Sequence, residues 1–166
     1  MISAAAAEKI FAEQKDLIAS GGKSLVESRA SSDSAAIVTP GLIDVTSLTN
    51  ISDEEIFGPL LQLYQVSDLN AAIESANDTK YGLAAGIFCK SKIDYDEFFR
   101  RSRAGIVNWN KPTTGASSAA PFGGVGQSGN HNPSAYFAAD YCSWPVASME
   151  SEQLTMPEKP SPGLSG

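Results

Sequence analysis

The chain has 166 residues, with 12 Lys and Arg against 19 Asp and Glu, so its net charge is −7 with the single His neutral. This length suits one domain with a buried core, and 42% hydrophobic against 19% charged residues indicates a globular protein and not a disordered one. The low pI of about 4.6 argues against a nucleic-acid partner, and no apolar run approaches the roughly 18 residues of a membrane span.

The first part of the chain predicts one helix followed by short strands. Apolar residues recur with a helical period over residues 6–18, and the two glycines at 21–22 act as a stop signal. Residues 23–34 are polar and rich in serine, which favours a loop. Residues 35–38 and 42–45 have the composition of short strands.

The middle of the chain alternates strands and helices. Residues 60–66 predict a strand, a helix capped by Ser67 follows, and residues 84–89 predict the next strand. A second helix from about Asp94 is acidic at its start and basic at its end, as the helix dipole favours, and it leads to a strand at Ile106–Trp109. Because such units cross over onto a parallel sheet, the sequence predicts an α/β fold with a parallel-sheet core.

The last third of the chain has a different composition. Residues 111–134 are rich in Gly, Ser, Thr and Pro and predict a long loop of the kind that carries function. Residues 141–148 predict a strand, which Pro145 confines to the edge of a sheet. The residues from 151 onward have the composition of a tail.

The cysteines and the first residues bear on chemistry and compartment. Cys89 and Cys142, with a single His, supply neither a disulfide framework nor a zinc site, so we expect no bound metal. Two buried thiols of a cytoplasmic protein are the expected state. The first four residues lack the basic start of a secretory signal peptide, which fits the same compartment.

Two segments resemble nucleotide-binding motifs in sequence but do not meet the other requirements of those motifs. Residues 124–129 fit G-x-G-x-x-G, but a dinucleotide fingerprint needs a strand before it and a helix opening within it, and neither is predicted there. The glycines are better explained by close packing of a backbone turn. Residues 22–24 resemble the end of a phosphate-binding loop, but Leu17 occupies the place of its first Gly.

Three segments in a fixed order carry the most specific signal. They are EEIFGP at residues 54–59, NDTKYGLAAGIF at 77–88, and AGIVNWN at 104–110 leading into PFGG at 121–124 and the Ser-Gly pair at 128–129. In this order and spacing they resemble the C-terminal part of the NAD(P)-dependent aldehyde dehydrogenase superfamily, over about residues 2–151. NWNKP at 108–112 and GNHNPSA at 129–135 narrow the resemblance to the branch that acts on succinylglutamate semialdehyde in arginine catabolism by the succinyltransferase route. The alternative is the branch that acts on glutamate semialdehyde (pyrroline-carboxylate).

The resemblance implies NAD-dependent oxidation of an aldehyde to an acid. In that family a cysteine thiolate attacks the carbonyl, the hemithioacetal gives a hydride to the nicotinamide, and a Glu-activated water cleaves the thioester. Neither Cys89 nor Cys142 matches the nucleophile's motif. We expect the nucleophilic Cys, the general-base Glu and the Rossmann half to lie upstream of this chain. The chain is then a fragment without catalytic residues and inactive by itself, and the choice of NAD over NADP is undecided.

The resemblance also implies roles for residues that are present. Glu55 matches the carboxylate that accepts hydrogen bonds from the nicotinamide-ribose hydroxyls, since two oxygens suit a vicinal diol. Its alternative is a solvated acidic turn. Phe57 matches an aromatic residue that packs near the nicotinamide, and its alternative is ordinary core packing.

On the substrate side, Phe122 matches the aromatic wall of the aldehyde pocket, and some burial of its ring is expected in any case. Gly115 and Ala116, which follow Thr114, resemble a loop that anchors a substrate carboxylate through backbone N–H groups. A plain turn is the alternative for this loop.

The domain division that the resemblance implies is residues 1–139 for the C-terminal portion of a catalytic domain, 140–150 for an oligomerisation strand and 151–166 for a tail. Residues 141–148 match the terminal strand that joins a partner subunit's sheet, because an edge strand offers unpaired N–H and C=O groups. The expected partners are a small aldehyde and further copies of the same protein. The alternatives are an edge strand covered by its own tail, and a non-catalytic module that only pairs with other subunits.

Overall fold

The computed structural model describes residues 1–115, 117–154, 159 and 163. Its helices are α1 (Ala4–Ala19), α2 (Leu69–Asn77), α3 (Lys92–Arg101) and α4 (Ala138–Tyr141). Its strands are β1 (Lys23–Val26), β2 (Gly41–Asp44), β3 (Leu60–Leu63), β4 (Ala84–Ile87), β5 (Ile106–Trp109), β6 (Pro121–Phe122) and β7 (Ser134–Ala135). Over the described part of the chain, no helix has both the length and the apolar character that crossing a membrane requires.

Helix α1 confirms the first predicted element. The Ser3 side chain caps it by accepting the Ala6 N–H at 3.1 Å. The Gly22 N–H donates to the Leu17 carbonyl at 2.8 Å, with Gly21 in the left-handed conformation that ends many helices. One face of α1 is buried, and its polar member, Gln14, exchanges hydrogen bonds with the Ser28 backbone (2.7 and 3.2 Å). This exchange satisfies a buried amide at both ends.

The main core lies between α1 and a three-stranded sheet. In that sheet β1 pairs antiparallel with β2, and β2 pairs parallel with β3. Ile10 and Leu17 of α1 pack in one cluster with Ile43 and Leu60 of the sheet and with Val45, which follows β2. Burying each of these side chains contributes about 1.5–3 kcal/mol to folding. This cluster anchors the N-terminal half of the chain.

A second layer is built by β4, α3 and β5. The two strands are parallel, in the register Ala84↔Ile106 to Ile87↔Trp109, with α3 as the crossover. Phe98 of α3 and Ile73 of α2 are buried here. The α/β class with parallel strands is confirmed, and the strands of the described residues are divided among three sheets. Strand β3 pairs with β2 and not with β4. The sequence could not predict this, because the local pattern of a strand does not reveal which strand lies beside it.

Several predicted boundaries in the N-terminal half were wrong. Residues 23–26 form strand β1 and not a loop, because they form backbone hydrogen bonds with β2. An exposed polar sequence gives no local sign of such pairing. Residues 35–38 contribute only a single bridge, between Ala30 and Val38. Strand β3 ends at Leu63 and not at residue 66. Leu63 pairs with Asp44, the last residue of its partner strand β2.

The helix starts were also displaced. The N-cap of α2 is Asp68 and not Ser67, because the Asp68 carboxylate accepts the Ala71 N–H at 2.9 Å. The N-cap of α3 is Ser91, so that helix begins two residues before Asp94. Both shifts follow from which side-chain oxygen reaches the free N–H groups of the first turn.

The C-terminal third differs from the prediction in two places: the predicted 111–134 loop contains regular structure, and the strand predicted at 141–148 is missing. The 111–134 segment contains β6, paired antiparallel with β7, and a short 3₁₀ turn at Gly126–Ser128. The strand predicted at 141–148 is absent from this chain, since Tyr141 ends α4 and the following described residues form no strand. An edge strand needs a partner strand for its hydrogen bonds, and the described part of the chain supplies none at this place.

Candidate functional site

The D-E-E run at residues 53–55 is attached to a distant turn of the chain. Asp53 Oδ1 accepts the Thr79 hydroxyl at 2.6 Å, and Asp53 Oδ2 accepts the Lys80 N–H at 2.7 Å. These hydrogen bonds hold the pKa of Asp53 below its ordinary value, the Lys80 N–H having the larger effect. Asp53 is therefore a charged acceptor fixed at both of its oxygens.

The next carboxylate binds the same turn. Glu54 pairs with the Lys80 ammonium and accepts the Tyr81 hydroxyl at 3.3 Å. The hydrogen bond from Lys80 lowers the pKa of Glu54, and the same bond raises the pKa of Lys80. These groups are exposed, so the pair adds little to stability by its charge alone. It does fix where the segment lies.

The third carboxylate is left unengaged. Within the described part of the chain, Glu55 accepts no hydrogen bond and forms no ion pair. It lines a cavity of about 320 Å³ together with the start of β4, Arg103 and Ser128. A carboxylate with both oxygens free on the wall of a polar cavity is suited to accept hydrogen bonds from a ligand's hydroxyl groups.

The turn at 79–81 is itself held in place. The Lys80 carbonyl accepts the Gln127 N–H at 2.9 Å, and the Thr79 hydroxyl accepts the Tyr81 N–H at 3.2 Å. The Gly82 N–H donates to Ser128 Oγ at 3.1 Å, and its carbonyl accepts the Val125 N–H at 3.0 Å. The turn thus connects the D-E-E run to the glycine-rich loop.

The glycine-rich loop confirms the packing interpretation of its G-x-G-x-x-G pattern. Gly126 has a positive φ of 57°, and a Cβ there would overlap the Lys80 carbonyl oxygen. A Cβ at Gly105 would overlap the Gly123 carbonyl oxygen in the same way. No helix of the dinucleotide-binding kind opens within this loop, where the described residues form one short 3₁₀ turn. The glycines allow backbones to meet.

Phe57 is not a core residue. Its side chain is 76% exposed, and its φ of 54° is unusual for an aromatic residue. The core-packing alternative for Phe57 was therefore wrong for this chain. Strained exposed residues of this kind are found at binding sites, so the position remains consistent with a ligand contact.

The substrate-side residues lie in other loops. Phe122 is half-buried in β6, as expected, and its carbonyl accepts the Ser134 hydroxyl at 3.2 Å. Gly115 has a φ of 91° with no atom within 4 Å of a Cβ placed there, and Ala116 lies outside the described residues. Asn108 Nδ2 donates to the Pro112 carbonyl at 2.8 Å and so fixes the start of the Gly115 loop.

The structure therefore does not gather the expected site residues in one place. The cavity that Glu55 lines is not lined by Phe57, Phe122 or Gly115. Glu55 and Phe57 share one segment that is neither helix nor strand, whereas Gly115 and Phe122 follow β5. Cofactor-side and substrate-side residues form two separate regions of this chain.

The cysteines differ from the expected pair of buried thiols. Cys89 is half-buried, and its Sγ donates to the Ser91 carbonyl at 3.3 Å. Cys142 is exposed, and the edge strand that was predicted to contain it does not form. No group of His, Cys, Asp and Glu side chains suitable for a metal ion occurs among the described residues.

Sequence reasoning missed the anchoring role of Asp53. Its partners are 26 and 27 residues away, so no local pattern reports them. The only available signal was the concentration of turn-forming residues in the N-D-T run at 77–79.

The chain is similar in sequence to known aldehyde dehydrogenases. The model of the aldehyde dehydrogenase family matches residues 1–144. N-succinylglutamate 5-semialdehyde dehydrogenase of Serratia proteamaculans is 54% identical over 165 residues, which cover 99% of this chain and 34% of the relative. The chain thus spans about a third of the length of the curated relatives that it matches.

Two solved structures are similar in fold. Aldehyde dehydrogenase 21 from Physcomitrella patens, in complex with the reaction product succinate, is 34% identical with a TM-score of 0.73, over 84% of this chain and 28% of the other. An NAD-dependent aldehyde dehydrogenase from Sinorhizobium meliloti is 27% identical with a TM-score of 0.73, over the same shares of each chain.

Proposed function

Because the chain belongs to the aldehyde dehydrogenase family, we propose that it is part of an NAD-dependent enzyme that oxidises succinylglutamate semialdehyde to the acid. The relatives named N-succinylglutamate 5-semialdehyde dehydrogenase, at 50–54% identity, support this substrate. The proposal requires a longer polypeptide that also carries the nucleophilic cysteine, and we call it the parent enzyme. This places the reaction in arginine catabolism by the succinyltransferase route.

The unengaged carboxylate of Glu55 is the observation that carries the cofactor proposal. Asp53 and Glu54 bind the 79–81 turn, so within the described residues Glu55 is the one of the three whose oxygens have no partner, and it lies on the wall of a cavity. Its two oxygens match the two hydroxyls of a ribose. NAD, when bound, accepts the hydride of the oxidation. Glu55 would hold the ribose hydroxyls of the cofactor, and the exposed ring of Phe57 would contact its nicotinamide.

The substrate side is assigned to the loops that follow β5. Backbone N–H groups around Gly115 and Ala116 bind the substrate carboxylate, because a glycine leaves room for an anion to approach the backbone. Phe122 walls the aldehyde pocket. Asn108 supports this arrangement, since it fixes Pro112 at the start of the loop.

The function is tested by assaying NADH formation by the parent enzyme on succinylated and free glutamate semialdehyde. We expect a higher kcat/KM for the succinylated substrate. A preference for the free semialdehyde would assign the enzyme to glutamate semialdehyde oxidation instead. If neither compound were oxidised, the proposal would fail.

The assembly and location of the parent enzyme complete the proposal. We propose that residues 141–148 form a strand when a partner subunit supplies the neighbouring strand, which makes the parent enzyme a homo-oligomer. We also propose that it acts in the cytoplasm. A size-exclusion comparison of the parent enzyme with a variant lacking residues 141–148 tests the assembly. The shortened variant should elute as a smaller species, and unchanged elution would contradict this role.

A further inference from the structure

Every side-chain bond of Asp53 and Glu54 within the described residues runs to the same three-residue turn. Asp53 binds Thr79 and Lys80, and Glu54 binds Lys80 and Tyr81, across 26 or 27 residues of sequence in each case. Residues 51–57 form neither helix nor strand. These bonds therefore take the place of the regular hydrogen bonding that would otherwise fix this segment.

We propose that Asp53 is a positioning residue for cofactor binding, which acts by fixing the backbone from which Glu55 extends. The inference rests on the proposed role of Glu55. A single residue, Glu54, separates Asp53 from Glu55, and consecutive Cα atoms are about 3.8 Å apart. Few backbone torsions then remain free between the anchored point and the Glu55 side chain.

The far end of the anchor is rigid as well. The Lys80 carbonyl accepts the Gln127 N–H at 2.9 Å, and the Gly126 backbone lies against the same carbonyl. The Arg103 guanidinium donates to the Thr79 carbonyl at 3.5 Å, so the turn is also connected to the chain just before β5. Asp53 therefore links Glu55, through the 79–81 turn, to the glycine-rich loop and to the chain just before β5.

Asp53 is favoured over Glu54 as the positioning group. Both oxygens of Asp53 are engaged on short contacts, one of them with a backbone N–H. Glu54 relies on the end of a flexible lysine side chain and on a longer bond to Tyr81. A short side chain that binds a backbone group restricts the chain more than two long side chains that meet in solvent.

A double-mutant cycle in the parent enzyme tests the inference by NAD binding, measured by titration calorimetry without substrate. Asp53→Ala should raise the Kd for NAD about tenfold when Glu55 is present. In the Glu55→Gln background the same change should raise it less than about twofold, because a fixed position no longer matters once the carboxylate is gone. Additive effects of the two substitutions would overturn the inference.

Further variants separate positioning from folding. Thr79→Val removes the hydroxyl that donates a hydrogen bond to Asp53, so it should weaken NAD binding. Thr79→Ser keeps a hydroxyl at this position and should bind NAD as the unsubstituted enzyme does. Asp16→Ala removes an exposed carboxylate on α1 and should leave the Kd unchanged. If Asp53→Ala fails to fold, Thr79→Val provides the cycle with Glu55→Gln.

The two proposals fail in different ways. If Glu55→Gln leaves the Kd for NAD unchanged, the proposed cofactor role of Glu55 is wrong, and the inference falls with it. If Glu55→Gln weakens binding but Asp53→Ala and Thr79→Val do not, the cofactor role stands and the positioning role is wrong.

Discussion

Arg103 donates two hydrogen bonds to Asn77, one to its side chain and one to its backbone. Asn77 Oδ1 accepts the Arg103 N–H at 2.8 Å, and the Arg103 guanidinium donates to the Asn77 carbonyl at 3.1 Å. Asn77 Nδ2 also donates to the Arg101 carbonyl at 2.8 Å. One side chain at the end of α2 thereby satisfies backbone groups at the end of α3, which fixes the two helix ends beside the candidate cofactor cavity.

Replacing Asn77 should destabilise the chain. Asn77→Ala leaves the Arg103 N–H and the Arg101 carbonyl without these partners, and we expect a loss of about 2 kcal/mol in the free energy of unfolding. Urea denaturation of the 166-residue chain measures it. Asn50→Ala, at an exposed position whose side chain makes no hydrogen bond within the described residues, is the control. Equal stability of the two variants would contradict the role of Asn77.

Gly105 should tolerate no side chain. A Cβ there overlaps the Gly123 carbonyl oxygen, a backbone atom that cannot move without shifting the loop. Gly105→Ala should therefore lower the free energy of unfolding by about 3 kcal/mol or more. Gly86→Ala is the matched control, because its Cβ would meet its nearest atom at 3.4 Å, an ordinary contact, and should change stability by less than about 0.5 kcal/mol. Thermal or urea unfolding of both variants checks the difference.

The stabilising effect of Asp53 should depend on pH. The Lys80 N–H and the Thr79 hydroxyl hold its pKa in the folded chain below the ordinary value of about 3.9. A carboxylate whose pKa is lower in the folded than in the unfolded chain stabilises the fold at pH values above its unfolded pKa. This stabilisation is lost as the pH falls through the folded pKa. The stability difference between the chain and Asp53→Asn should thus be present near pH 6 and shrink below about pH 3.9. A difference that grows in acid would contradict the assignment, and Asp16→Asn controls for the charge change.

Neither cysteine of this chain should be the nucleophile of the reaction. The Cys89 thiol is bonded to the Ser91 carbonyl, and Cys142 is exposed in a segment without strand structure. Cys89→Ser and Cys142→Ser in the parent enzyme should each keep kcat within about twofold. The 166-residue chain by itself should produce no NADH from NAD and succinylglutamate semialdehyde. Loss of activity on replacing either cysteine would show that the nucleophile has been misplaced.

Gly115 should matter for the substrate and not for the cofactor. Its φ of 91° is a conformation that leucine adopts only with strain, so Gly115→Leu should displace the N–H groups assigned to the carboxylate. We expect the KM for the semialdehyde to rise about tenfold, with the KM for NAD unchanged. Gly115→Asn is the control for conformation, since asparagine tolerates positive φ better, and it should raise the substrate KM less. Equal KM values in all three proteins would refute the anchor.

The sequence by itself determined the elements whose signals are local. The apolar period of α1 and its Gly21 stop predicted that helix, and the run from 84 to 109 predicted strand, crossover helix and parallel strand. The three family segments also singled out Glu55 within a run of three acidic residues. These inferences succeed because capping, periodicity and short crossovers depend on residues that are close in sequence.

Only the tertiary structure decided what depends on distant partners. It paired the polar residues of β1 with β2, gave β3 to β2 and not to β4, and left residues 141–148 without a strand. It also separated three adjacent carboxylates into two that bind the 79–81 turn and one, Glu55, that remains unengaged within the described residues. Hydrogen bonds across 26 residues form only when the fold closes the loop between them, so periodicity and capping signals do not reveal which of the three carboxylates the 79–81 turn binds.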